Sequence, residues 1–145
     1  MVGNRARLRS SIAWSMLVSR SAESDVVRPP AVGFATGGID LWFMIAPPDI
    51  PIAGLVRYLS PAEVSRAGAF AGSDLQRNYC AAHAALRLIL AHYAGIAPAA
   101  IALSQGPFGK PGAALQNLSF NMSHCGDAVL VGVARRPLGV DAEDV

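Results

Sequence analysis

Cysteine, lysine and charge of either sign are all scarce in this chain. The two cysteines, Cys80 and Cys125, lie far apart and neither falls in a C-x-x-C pair. That argues against a disulfide framework or a cysteine zinc site and fits a reducing, cytoplasmic setting. Lysine occurs once, at Lys110, against eleven arginines. Charged residues make up only 15% and hydrophobic residues 52%, which excludes a disordered acidic or basic tail and fits a body with a core. Residues 1–28 hold five arginines against Glu23 and Asp25, and the remainder has seven basic residues against eight acidic ones. No basic face is left to bind nucleic acid. Long hydrophobic runs are missing too. The longest, residues 41–46 and 128–134, fall far short of the roughly 20 apolar residues a membrane helix needs.

At 145 residues the chain suits one domain. Residues 1–35 differ in composition from the rest, and Pro29, Pro30 and Gly37-Gly38 divide them from the first strand-like segment, 39–46. They are expected to form a poorly ordered extension, with the domain proper at 36–145. Ser60-Pro61-Ala62-Glu63 combines a capping serine, a proline suited to the first turn and a glutamate that closes a capping box, so a helix begins there. Ser73 and Gln76 repeat the spacing and predict a second, longer helix ending at Gly95. Leu75, Tyr79, Ala82, Leu86, Ile89, Leu90 and Tyr93 form its expected buried stripe. His83 and Arg87 flank that stripe one turn apart, and the plain reading is a helix flank in water. Residues 101–104, 118–122, 128–134 and 138–143 read as short strands joined by turns. The fold class is α+β, a long helix packed on a small, mainly antiparallel sheet, with no βαβ repeat.

Three clusters carry potential chemistry. Residues 106–112, G-P-F-G-K-P-G, present Lys110 in a rigid turn whose glycines let backbone approach an anion, although the P-loop order is absent. Residues 120–127, F-N-M-S-H-C-G-D, open an extended segment into polar donors, and Ser123 and His124 are candidates to hold phosphate. Neighbours on an extended segment point to opposite faces, so Ser123 and His124 do not make a nucleophile and its base. Residues 139–144, G-V-D-A-E-D, place Asp141 and Glu143 two apart. On an extended strand they share a face and offer hard oxygens suited to Mg2+, which keeps several waters and is completed by substrate phosphates. An acidic chain end left in solvent is the competing reading.

Taken in order, L-S-P-A-E-x-x-R-A-x-x-F, A-A-L-R-L-I-L-A-H-Y-x-G-I, G-P-F-G-K-P, F-N-M-S-H-C-G-D and G-V-D-A-E-D-V closely resemble the 4′-phosphopantetheinyl transferases of the Sfp type, over about residues 39–145. The resemblance implies one half of a pseudo-two-fold fold and transfer of the phosphopantetheine arm of coenzyme A to a serine of an acyl or peptidyl carrier protein. It implies Mg2+ as cofactor and coenzyme A as co-substrate. Asp141 and Glu143 match the family's D-x-E metal pair and serve catalysis there. Lys110, Ser123 and His124 match positions around the coenzyme A phosphates. His83 stands where many members carry an arginine that reaches the nucleotide.

Two departures accompany this match. His83 carries little charge near neutral pH where that arginine is always charged. The family's second half, with another acidic ligand and a W-x-x-K-E helix, has no counterpart in these 145 residues. The expected activity therefore calls for pairing with a C-terminal half, and the chain alone is expected to form a homodimer or aggregate without transferase activity. A non-catalytic module binding coenzyme A or a partner, and an inactive remnant, are the alternatives.

Overall fold

In the computed structural model the described residues are 6–9, 38–105, 111–113, 115 and 118–143. Alternating apolar residues in three segments produce the body of the sheet. They are β2 (Ile39–Ile45), β5 (Ser119–Cys125) and β6 (Ala128–Ala134), ordered β1-β2-β6-β5 with β1 (Ala6–Arg9) at one edge. β6 is antiparallel to both of its neighbours, and β1 runs parallel to β2. Ala6–Arg9 fall inside the stretch expected to be an extension, and these four residues belong to the sheet. The others among residues 1–35 lie outside the described residues. A short pair, β3 (Leu103–Gln105) and β4 (Pro111–Ala113), forms a separate ribbon.

Register sorts the side chains onto two faces. Rows Asp40–Val133–Phe120, Trp42–Val131–Met122 and Met44–Val129–His124 share one face. Trp42, Met44, Val129, Val131, Val133 and Phe120 are buried there. The other face carries Leu41–Gly132–Asn121, Phe43–Leu130–Ser123 and Ile45–Ala128–Cys125.

Helix α1 (Ile52–Leu55), helix α2 (Pro61–Gly68) and the long helix α3 (Ser73–Ala94) complete the α+β arrangement. α2 begins as the sequence predicts. Ser60 Oγ accepts from the Glu63 amide, and the Glu63 carboxylate accepts from the Ser60 amide. α3 ends as predicted, with Gly95 at φ 67°, a left-handed conformation glycine adopts at no steric cost. Its start differs by one residue. Gly72 is the N-cap and no side chain caps the helix, so Ser73 lies within the first turn.

Most of the predicted stripe on α3 holds. Leu86, Ile89 and Leu90 are at most 1% exposed and Ala82 is buried, but Leu75 is 59% exposed. The first turn of α3 projects beyond the core, so helical spacing alone does not bury it. Trp42 Nε1 donates to Tyr93 Oη at 2.9 Å, and Tyr93 Oη donates to the buried Asp40 carboxylate at 2.7 Å, tying the end of α3 to β2. Among the described residues no helix is long and apolar enough to cross a membrane.

The last expected strand is absent. Residues 138–143 have no strand pairing; they fold back over the sheet face that carries Gly132. A ladder needs a free strand edge beside it, whereas this tail lies on a face, where side chains of β5 reach the amides of Val140 and Ala142.

Candidate functional site

The tail is seated by side chains of β5 and by a gap in β6. Val140 N–H donates to Asn121 Oδ1 at 2.8 Å, and Ala142 N–H donates to Ser123 Oγ at 3.0 Å. Ser123 Oγ in turn donates to Asp141 Oδ1 at 3.2 Å. The structure thus brings two predicted site residues together, Ser123 and Asp141, from segments 18 residues apart. Asp141 and Glu143 are both exposed, and Asp144 lies outside the described residues.

The donor chemistry of this pair fits a hard cation. Two carboxylates leave room for water and phosphate oxygens, which is how Mg2+ is commonly bound. Among the described residues no group of three or more His, Cys, Asp or Glu side chains gathers as a closed metal cage. Any ion held at Asp141 and Glu143 would draw its other ligands from water or from a bound molecule.

His124 is exposed and sits in the last row of the helix-bearing face, opposite the face that carries Ser123. The sequence reading that adjacent Ser123 and His124 diverge is what the register gives. Lys110 and the rest of 106–110 lie outside the described residues, while Pro111 and Gly112 of the same turn belong to β4.

His83 belongs to a separate cluster. Its Nδ1–H donates to Glu63 Oε1 at 3.1 Å, and its ring stacks on Tyr79 with centroids 4.1 Å apart. Arg87 Nε donates to Glu63 Oε2 at 2.7 Å, while its Nη1 donates to the carbonyls of Pro98 and Ile101 at 3.0 and 2.8 Å. The expectation of a helix flank in water is corrected here, since Arg87 is 2% exposed and His83 is partly buried. Every carboxylate–guanidinium contact in this cluster is charge-assisted, which is what makes the burial tolerable. Burial by itself would raise the Glu63 carboxyl. The bonds from His83, Arg87 and the Ser60 amide, with the charge of Arg87, more than reverse this and hold it down at about 2.

Sequence reasoning missed Glu63 as the centre of this cluster. Its capping role was legible, and it gave no sign that the same carboxylate has oxygens left for a second helix. Cys80, next to Tyr79, is fully buried, and burial followed by the nearby Glu63 charge pushes its thiol up, so it is unsuited to nucleophilic work.

No family model matches this sequence. The chain is 30% identical over 122 residues to the 4′-phosphopantetheinyl transferase HetI of Nostoc sp., an alignment covering 80% of this chain and 52% of that protein. The chain therefore spans about half the length of the curated relative it matches. That relative carries the name of the family that the order of the motifs resembles.

Proposed function

We propose that this chain supplies the coenzyme A side of a 4′-phosphopantetheinyl transferase of the Sfp type, as one half of its pseudo-two-fold fold. The reaction moves the phosphopantetheine arm of coenzyme A onto a serine of an acyl or peptidyl carrier protein in the cytoplasm. The observation that carries this reading is the Ser123–Asp141 hydrogen bond of 3.2 Å. It joins the F-N-M-S-H strand to the D-x-E tail, so the two segments that resemble the family's phosphate and metal motifs converge in space. The similarity to a protein of that activity supports it.

In this reading Asp141 and Glu143 hold Mg2+, which when bound offsets the negative charge of the coenzyme A pyrophosphate. Lys110 and His124 contact the phosphates. His83 presents Nε2, since Nδ1 is committed to Glu63. The carrier serine Oγ forms the new bond to phosphorus, the bond to adenosine 3′,5′-bisphosphate breaks, and the serine proton passes to a base on a C-terminal half. The chain's own share is positioning and charge stabilisation, the two contributions phosphoryl transfer draws on most.

Calorimetry with coenzyme A and Mg2+, followed by mass spectrometry of a carrier protein after adding a C-terminal half, tests this. Coenzyme A binding that needs Mg2+, weakens in Lys110→Ala and His124→Ala and falls as salt rises is the expected result. Asp141→Ala and Glu143→Ala are expected to abolish transfer in the completed assembly. Binding without any transfer would favour the non-catalytic module, and no binding at all would overturn the assignment.

A further inference from the structure

We propose that Asn121, Ser123 and Gly132 form a latch that fixes residues 138–142 across the outer face of the sheet and so sets the position of the Asp141 carboxylate. Asn121 and Gly132 are positioning residues for the acidic pair. Ser123 joins them in that role. The latch rests on geometry alone, and its link to a cation rests on the transferase reading.

Gly132 interrupts a β-branched run, Val129, Val131 and Val133, all of them buried on the opposite face. Glycine inside a strand gives up packing and conformational entropy, and it commonly marks a close approach by another segment. Here that segment is the tail. A Cβ at Gly132 would lie 2.7 Å from both Leu138 Cδ1 and Val140 Cγ1, nearer than atoms can pack, with Leu41 Cδ2 at 3.5 Å. A side chain at 132 fits only if the Leu138 and Val140 side chains move off the sheet.

The notch and the polar contacts lie in register. Gly132 pairs with Leu41 on one side and Asn121 on the other. Val140 therefore places its side chain over the gap while its amide donates to Asn121 Oδ1 at 2.8 Å. Two residues on, the Ala142 amide meets Ser123 Oγ at 3.0 Å, two residues along β5. Alternate amides of the tail thus match alternate side chains of the strand. The single Ser123 hydroxyl accepts from Ala142 and gives its one proton to Asp141. In this arrangement its one proton is committed to the Asp141 carboxylate. Side chains that orient a metal-binding carboxylate from behind are worth about 10- to 100-fold in metal affinity.

The test uses the full chain and the variants Gly132→Val, Gly132→Ala, Asn121→Ala and Ser123→Ala. Hydrogen exchange of the Val140 and Ala142 amides reads the latch, and titration with Mn2+ alone reads the acidic pair. In the parent both amides are expected to be protected. Asn121→Ala should release Val140, Ser123→Ala should release Ala142, and Gly132→Val should release both, with Gly132→Ala intermediate. Valine suits a strand, so far-UV circular dichroism should be unchanged, and Mn2+ affinity should fall about 10- to 100-fold in Gly132→Val. Unprotected amides in the parent, or protection that survives Gly132→Val, would overturn the latch. An open latch with unchanged Mn2+ affinity would overturn the positioning role. A parent that binds no Mn2+ while its amides respond as described would refute the metal reading and leave the latch standing.

Discussion

Glu63 shows how far one side chain can be read from its neighbours in sequence. The spacing Ser60-x-x-Glu63 identified it as a capping residue, and both hydrogen bonds of the capping box are present. What spacing cannot report is that α3 brings Arg87 and His83 to the same carboxylate from 24 and 20 residues away. Replacing Glu63 by alanine leaves the Arg87 guanidinium, 2% exposed, without its counter-charge. A loss of about 3 to 5 kcal/mol is expected, the range for breaking a buried pair from one side. Urea unfolding of Glu63→Ala against the parent measures it, and a loss below about 1 kcal/mol would show that the carbonyls of Pro98 and Ile101 suffice for Arg87. The same carboxyl predicts an acid limb in stability. Its folded pKa of about 2 lies below the ordinary 4.5, so the unfolded chain takes up the proton first. Its stabilising contribution is complete above about pH 4.5 and is lost as pH falls from there towards 2. Glu63→Gln removes the titrating group, so its unfolding midpoint should fall less between pH 5 and pH 3 than the parent's does.

At the scale of elements, local signals were reliable where the chain's own residues satisfy them and failed where tertiary placement decides. The two helix starts make the contrast. Ser60 accepts from an orphan amide of α2, while Ser73 caps nothing because Gly72 occupies the cap position of α3. Ser60→Ala should therefore cost about 1 kcal/mol and Ser73→Ala only a few tenths. Thermal melts of the two variants decide, and equal losses would mean that Ser73 does cap α3 in solution. Strand β6 lies at the expected 128–134, whereas β5 runs three residues past the expected 118–122, to Cys125, before a turn with Gly126 at φ 56°. Residues 138–143 carry the same alternation and yet form no ladder. Alternation records which residues face an apolar surface, and a tail lying on a sheet satisfies that condition as well as a strand within it. Asn121 and Gly132 escaped notice for the same reason. An amide side chain in a strand and a glycine among valines acquire meaning only when the tail is seen against them.

For the molecule as a whole, the decisive feature is that the outer sheet face is covered only in part. Leu138 and Val140 lie over Gly132, while Phe43 and Ile45, two and four residues along β2 from Leu41, are 40% and 50% exposed. Phe43 shares its row with Leu130 and Ser123, and Ile45 shares the next with Ala128 and Cys125. An apolar strip therefore runs from β2 towards the strand that seats the acidic tail. Two large side chains held in water favour association, because burying each recovers about 25 cal/mol for every Å² of apolar surface removed from solvent. We expect the chain to self-associate through this strip in the absence of a C-terminal half. Sedimentation should give an apparent mass that rises with concentration in the parent. In a Phe43→Ser, Ile45→Thr double variant the mass should stay close to 15.1 kDa. Both positions point away from the helix-covered core, so the melting temperature should change little, and threonine keeps a strand-compatible shape. A parent that sediments as a monomer across the same range would show that this strip does not drive association. A double variant that still associates would place the contact elsewhere, with the β5 edge of the sheet as the next surface to examine.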